Sequence, residues 1–80
     1  MQAARFNLSK LNGRVIEKFG TRAAFSEASG ISAGKLYPRL QGVQPFDTAE
    51  IAHIIQPELL DIPPEEIAEY FFNVEFEKSN

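Results

Sequence analysis

The 80-residue sequence contains no cysteine, which excludes disulfides and thiolate metal sites. It also lacks any apolar run near the roughly 20 residues of a membrane span, and its N-terminus has no apolar core of a secretion signal. The single histidine, His53, has no second ligand at metal-binding spacing, so we expect it to be structural or at the surface. These absences favour a soluble, cytoplasmic domain without cofactor, metal or membrane partner.

Features of an enzyme are missing as well. The sequence shows no nucleophile–base pair and no glycine-rich phosphate loop. A chain of this length buries only about 60% of its unfolded surface, which suffices for one core but not for an enclosed cavity. The carboxylates Glu65, Glu66 and Glu69 are better explained as favourable charges at a helix start than as a catalytic pair. We therefore predict a protein that is not an enzyme and has no small-molecule substrate.

Charge is distributed very unevenly along the chain. The net charge is −3, yet residues 1–44 carry seven Lys and Arg against two Glu. Residues 45–80 carry one Lys against nine Asp and Glu. Such asymmetry between halves favours a cationic face for a polyanion in the first half. Chance clustering on a solvated surface is the alternative.

Glycine, proline and capping residues divide the chain into five segments with helical periodicity. The predicted helices cover about residues 8–19, 21–29, 32–41, 47–59 and 63–71. The sequence thus predicts an all-α, compact five-helix bundle as one domain over residues 1–80, with a core of about 8–72. The tail, residues 73–80, is predicted to fray, with a short C-terminal strand or a dimer contact as the alternative.

The segment 21–42 has the pattern of a helix-turn-helix. Thr21 and Ser32 can cap its two helices, and Gly30 supplies the tight turn between them. Ile31 and Leu36 are expected to anchor the second helix against the first. This arrangement positions a second helix for the major groove of DNA.

The sequence resembles the Cro/repressor-type (Xre-like) helix-turn-helix proteins of phages, most closely a small group from Gram-positive hosts. The resemblance covers about residues 8–72 and is carried by residues 8–20, 30–32, 40–42 and 62–72. It implies a lambda-repressor-like five-helix bundle that binds operator double-stranded DNA, often as a homodimer, and regulates transcription. Repression and activation both remain open.

The resemblance also assigns roles by position. It implies a phosphate contact for Arg22 at the start of the first motif helix. The recognition helix, about residues 32–41, would turn five residues toward the base edges: Ser32, Ala33, Gly34, Tyr37 and Gln41. Lys35 and Arg39 flank this face and would contact phosphates, and Lys10 and Arg14 are either additional phosphate contacts or solvated.

Several residues depart from the pattern of related proteins. Ala33, Gly34 and Pro38 replace residues that usually offer hydrogen bonds. Pro38 costs about 3 kcal/mol inside a regular helix, so we expect a short or kinked recognition helix. Ser29 stands where an apolar residue is usual and is expected to loosen the packing under the turn.

Two functions therefore remain open. The first is a sequence-specific transcriptional regulator of the Cro type. The second is a protein-interaction module derived from a helix-turn-helix, whose acidic C-terminal half binds another regulator.

Overall fold

Five α-helices and two short strands follow one another along residues 4–76, the part of the chain that the computed structural model describes. In chain order they are β1 (Ala4–Phe6), α1 (Ser9–Phe19), α2 (Arg22–Ser29), α3 (Ala33–Leu40), α4 (Thr48–Ile54), α5 (Ile67–Phe71) and β2 (Val74–Phe76). A 3₁₀ turn, Pro64–Glu66, leads directly into α5. The all-α, five-helix bundle predicted from the sequence is confirmed. None of the helices in this range is both long and apolar enough to cross a membrane.

Helix boundaries agree with the capping signals at Thr21 and Asp47. Ser32, predicted to cap α3, occupies its N-cap position, but its side chain makes no capping hydrogen bond. The Thr21 hydroxyl accepts a hydrogen bond from the Ala24 N–H at 3.0 Å, which satisfies one of the free donors at the start of α2. Asp47 and Glu50 form a reciprocal capping box at the start of α4. Gly20 and Gly30 end α1 and α2 at φ of 81° and 76°, a region that glycine enters without strain.

The fourth helix is shorter than predicted. It ends at Ile54 and not near residue 59. Pro57 has no N–H and therefore cannot donate to the carbonyl of His53. That carbonyl instead accepts the Gln56 side-chain amide at 3.0 Å. The predicted end near residue 59 is wrong because the apolar spacing included Leu59. That residue is buried, but it lies in a turn after the helix.

A two-stranded antiparallel sheet joins the ends of the described chain. Residue Phe6 of β1 pairs with Val74 of β2. Asn7 continues this pairing, since its N–H donates to the Asn73 carbonyl and its side chain donates to a Glu75 carboxylate oxygen at 2.8 Å. The prediction of a frayed tail is therefore wrong for residues 74–76, where the alternative, a short C-terminal strand, is confirmed. Strand β1 was not predicted. Residues 77–80 of the predicted tail lie outside the described range.

The core lies where the helices converge. Its fully buried side chains come from α1 to α4 and from the segment before α5: Leu11, Val15, Phe25, Leu36, Leu40, Ile54 and Leu60. Aromatic rings extend it, with Phe19 packed on Phe25 at a centroid distance of 5.2 Å and Phe46 edge-on to Phe71 at 5.4 Å. The helix-turn-helix segment therefore shares one core with the acidic half.

Arg14 connects α1 to the irregular segment before α5. Its Nε donates to the carbonyl of Leu60 and its Nη2 to that of Asp61, both at 2.7 Å, while Nη1 pairs with Glu17. Asp61 has a φ of 52°, which is rare for a residue with a side chain. The Arg14 guanidinium thus satisfies the carbonyls of a segment that forms no regular structure.

Replacing Arg14 with Met should lower the free energy of unfolding by about 1.5–3 kcal/mol, because two backbone carbonyls lose a charged donor. The matched change Lys18→Met should cost within about 0.5 kcal/mol, since Lys18 reaches Asp61 only at 4.0 Å on an exposed surface. Urea unfolding followed by circular dichroism measures both. Equal losses would contradict the role given to Arg14.

Candidate nucleic-acid interface

The turn between α2 and α3 is held by two serines. The Ser26 hydroxyl donates to the Ile31 carbonyl at 2.6 Å. The Ser29 hydroxyl donates to the Ser26 carbonyl at 3.3 Å and accepts from the Ile31 N–H at 3.2 Å. Ser29 is buried, with 6% of its surface exposed. The expectation that Ser29 loosens this turn is wrong, because its hydroxyl bonds both sides of it.

His53 fixes the same turn from α4. Its Nε2 lies 2.7 Å from the Ser29 carbonyl, and its Nδ1 lies 3.2 Å from the side-chain amide of Gln56. A carbonyl can only accept, so Nε2 must carry a proton. His53 therefore has the structural role predicted for it. Within the described residues, no group of three His, Asp or Glu side chains is placed to hold a metal.

The orientation of α3 about its axis follows from two leucines. Leu36 and Leu40, one turn apart, are 0% and 1% exposed. The opposite face must then point away from the core. Gly34, Lys35 and Gln41 lie on that outward face and are exposed. Ser32 and Ala33, four and three residues before Leu36, are exposed at the start of the helix, and Tyr37 is half-buried against the core. All five residues predicted to face bases lie on or beside this surface.

Pro38 lies inside α3 without ending it. The helix runs from Ala33 to Leu40 with Ser32 and Gln41 at its caps, in agreement with the predicted span and with the expectation of a short helix. Pro38 cannot donate to the carbonyl of Gly34, but Gly34 is exposed, so water can bond that group. Beyond the helix, the Pro38 carbonyl accepts from the N–H groups of Val43 and Gln44.

Most cations of the first half are engaged within the protein. Lys10 pairs with Glu69 across α1 and α5, and this hydrogen bond raises the pKa of Lys10. Arg14 pairs with Glu17, which likewise raises the pKa of Arg14. Lys10 and Arg14, considered as additional phosphate contacts, are thus occupied by intramolecular partners.

Arg39 is also occupied. Its Nε lies 3.0 Å from Glu50 Oε1, and its Nη1 donates to the Lys35 carbonyl at 2.8 Å. The two side chains are only 18% and 17% exposed. Since Glu50 Oε1 also accepts from the Asp47 N–H in the capping box, Arg39 ties α3 to the start of α4. This geometry gives Arg39 a structural role beside the surface that it was predicted to serve.

Two cations remain on the surface formed by Arg22 of α2 and by residues 32–35, 37 and 41 at α3, named the α2–α3 surface. Among the side chains that the structure describes, Arg22 and Lys35 form no ion pair, and Lys35 is exposed. Arg22 borders an open groove between the N-terminus of α1 and the C-terminus of α3. The groove is lined by Phe6, Asn7, Leu8, Ser9, Asn12, Arg22, Leu40, Gln41 and Glu75.

Four polar residues of this groove were not predicted: Asn7, Ser9, Asn12 and Glu75. Asn12 donates from its side chain to the carbonyls of Leu8 and Leu40, and so fixes the end of α3 against α1. Glu75 could not be assigned to this groove from the sequence, because its position depends on the pairing of β1 with β2. Its hydrogen bond to Asn7 joins residues 68 positions apart.

The family model described as "Protein of unknown function (DUF739)" matches residues 4–74. The chain belongs to the DUF739 family. The DUF739 match spans all five helices and every residue of the α2–α3 surface. No protein of curated function matches the chain.

In this DUF739 protein, the Arg39–Glu50 pair offers a direct test of the geometry. A double-mutant cycle with Arg39→Met and Glu50→Gln should give a coupling free energy of about 1–3 kcal/mol, because both groups are largely removed from water. Urea unfolding of the four proteins measures it. A coupling below about 0.3 kcal/mol, the level of an exposed pair, would contradict the structural role of Arg39.

Proposed function

We propose that the protein is a sequence-specific DNA-binding regulator of transcription of the Cro/repressor type, with α3 in the major groove. One observation carries the proposal. The burial of Leu36 and Leu40 turns Gly34 and Lys35 outward, and the small Ala33 is exposed beside them in the first turn. Among the described side chains, Lys35 forms no ion pair. A rigid helix with a slim, acid-free face suits insertion between two phosphate backbones.

Affinity in this proposal comes from few phosphate contacts. Arg22 lies at the start of α2 and Lys35 in the first turn of α3, so both charges stand at helix N-termini, where backbone N–H groups also favour anions. We do not count Arg39 among these contacts, because its guanidinium pairs with Glu50. With about two phosphates neutralised per protomer, binding should be modest and its salt slope near −2 per protomer.

Selectivity would come from the remaining side chains of the face. Ala33 and Gly34 offer no side-chain hydrogen bond, but their size permits close approach, and Ala33 can contact a thymine methyl group. The Gln41 amide can pair with adenine, and the Tyr37 hydroxyl can reach either a base or a phosphate. A homodimer would place two such helices about 34 Å apart, one turn of DNA.

The experiment is a titration of duplex DNA at several salt concentrations, using duplexes selected from a random pool. Lys35→Ala should weaken binding and reduce the magnitude of the salt slope by about one, because one phosphate contact is lost. The matched control is Lys10→Ala, which removes a lysine already paired with Glu69 and should leave the slope unchanged.

Gln41→Ala and Tyr37→Phe should relax sequence preference while weak binding persists. If the protein is a dimer on DNA, the selected duplexes should contain two related half-sites about one turn apart. The proposal would be overturned if the protein does not bind DNA at low salt. It would also be overturned if Lys10→Ala and Lys35→Ala reduce the magnitude of the salt slope equally.

Glu75 places a carboxylate in the groove that also contains Arg22 and Gln41. Replacing it with Gln keeps an oxygen that accepts the Asn7 amide but removes the charge. Glu75→Gln should therefore tighten DNA binding roughly twofold to fivefold at low salt and less at high salt, since a nearby repulsion is removed and salt screens it. The same titration measures this change. An unchanged or lower affinity with an intact fold would show that the groove does not face phosphates.

A further inference from the structure

An apolar groove runs along the outer face of α4, away from the α2–α3 surface. Thr48, Ala52 and Ile55 line it from α4, and Ile67 and Phe72 close it from the side of α5. It continues past Ala52 and Ile55 toward Pro57, Pro63 and Pro64. Phe72, which also packs edge-on against Phe6, is 52% exposed, a large fraction for an aromatic ring.

The dimensions of the groove fit a helix. The lining positions on α4 recur at intervals of three and four residues, which is one helical face. Thr48 to Ile55 spans about 10 Å at 1.5 Å per residue, or about two turns of a partner helix. Helices that bind in apolar grooves use anchors with the same spacing.

The charge around the groove has one sign. Residues 45–76 contain eight Asp and Glu and no Lys or Arg. Glu50, Asp61 and Glu69 are paired with cations of the first half. Three other described carboxylates adjoin lining residues in the sequence and form no ion pair. Asp47, which caps α4, precedes Thr48, and Glu65 and Glu66 precede Ile67.

We propose that this groove binds a cationic amphipathic helix of a partner protein. Apolar anchors of that helix would cover Ala52, Ile55 and Phe72, and its Lys or Arg residues would face Asp47, Glu65 and Glu66. Nucleic acid is repelled by this face, and a second copy of the chain would set two sets of unpaired carboxylates against each other. The inference does not depend on DNA binding by α3.

The test uses the full chain, labelled with ¹⁵N, and a synthetic amphipathic Leu/Lys helix of about four turns. We expect amide shifts at Thr48, Ala52, Ile55, Ile67 and Phe72, and none with a Leu/Glu peptide of the same pattern. Ala52→Lys should lower the affinity for the Leu/Lys peptide about tenfold or more, because it places a cation inside the apolar contact. The matched control Ala68→Lys makes the same charge change on α5 outside the groove and should change affinity less than about twofold.

Each alternative occupant gives a different result. Shifts of these residues with duplex DNA, or concentration-dependent self-association removed by Ala52→Lys, would assign the groove to DNA or to a second copy and overturn the proposal. If Ala52→Lys and Ala68→Lys lower the peptide affinity equally, the binding is non-specific charge attraction, and the proposal is overturned as well. If Ala52→Lys unfolds the chain, Thr48→Lys at the exposed start of α4 serves as the second variant.

Discussion

The burial of Leu36 and Leu40 determines the chemistry of the whole α2–α3 surface. Two side chains one turn apart, each almost without exposed area, fix the rotation of α3 about its axis. Phe25 supports them from α2, and the serine and histidine hydrogen bonds fix the turn at Gly30. The exposed residues 33, 34 and 41, with the half-buried Tyr37, then determine the chemistry that α3 offers to a ligand.

Intramolecular ion pairs decide which charges remain for partners. The cationic first half and the acidic second half are not separate surfaces, because Lys10, Lys18 and Arg39 each reach a carboxylate of the second half. These pairs connect α1 and α3 to α4, α5 and the segment between them. Among the described side chains, the charges without an ion pair include the cations Arg22 and Lys35 and the carboxylates Asp47, Glu65 and Glu66 near the apolar groove of α4. One chain thereby presents two faces of opposite charge and different shape.

Local signals in the sequence predicted the helices well. Capping at Thr21 and Asp47, glycines at Gly20 and Gly30, and apolar spacing in α1 and α3 each act within a few residues. Features that depend on distant partners could not be predicted. Three residues are too few to show strand alternation, so β1 was missed. The pairing of Arg39 with Glu50 could not be predicted either, because it depends on α4 beginning beside the end of α3. Glu50 accepts hydrogen bonds both from Arg39 and from the Asp47 N–H of the capping box.

The most direct measurement of the central claim is a map of amide chemical-shift changes when the ¹⁵N-labelled full chain is titrated with selected duplex DNA. If α3 is the reading helix, the changes should concentrate at residues 32–35, 37 and 41 and at Arg22, with residues 48–55 and 67–72 unaffected. Changes confined to α4 and α5, or spread evenly over the bundle, would contradict the account.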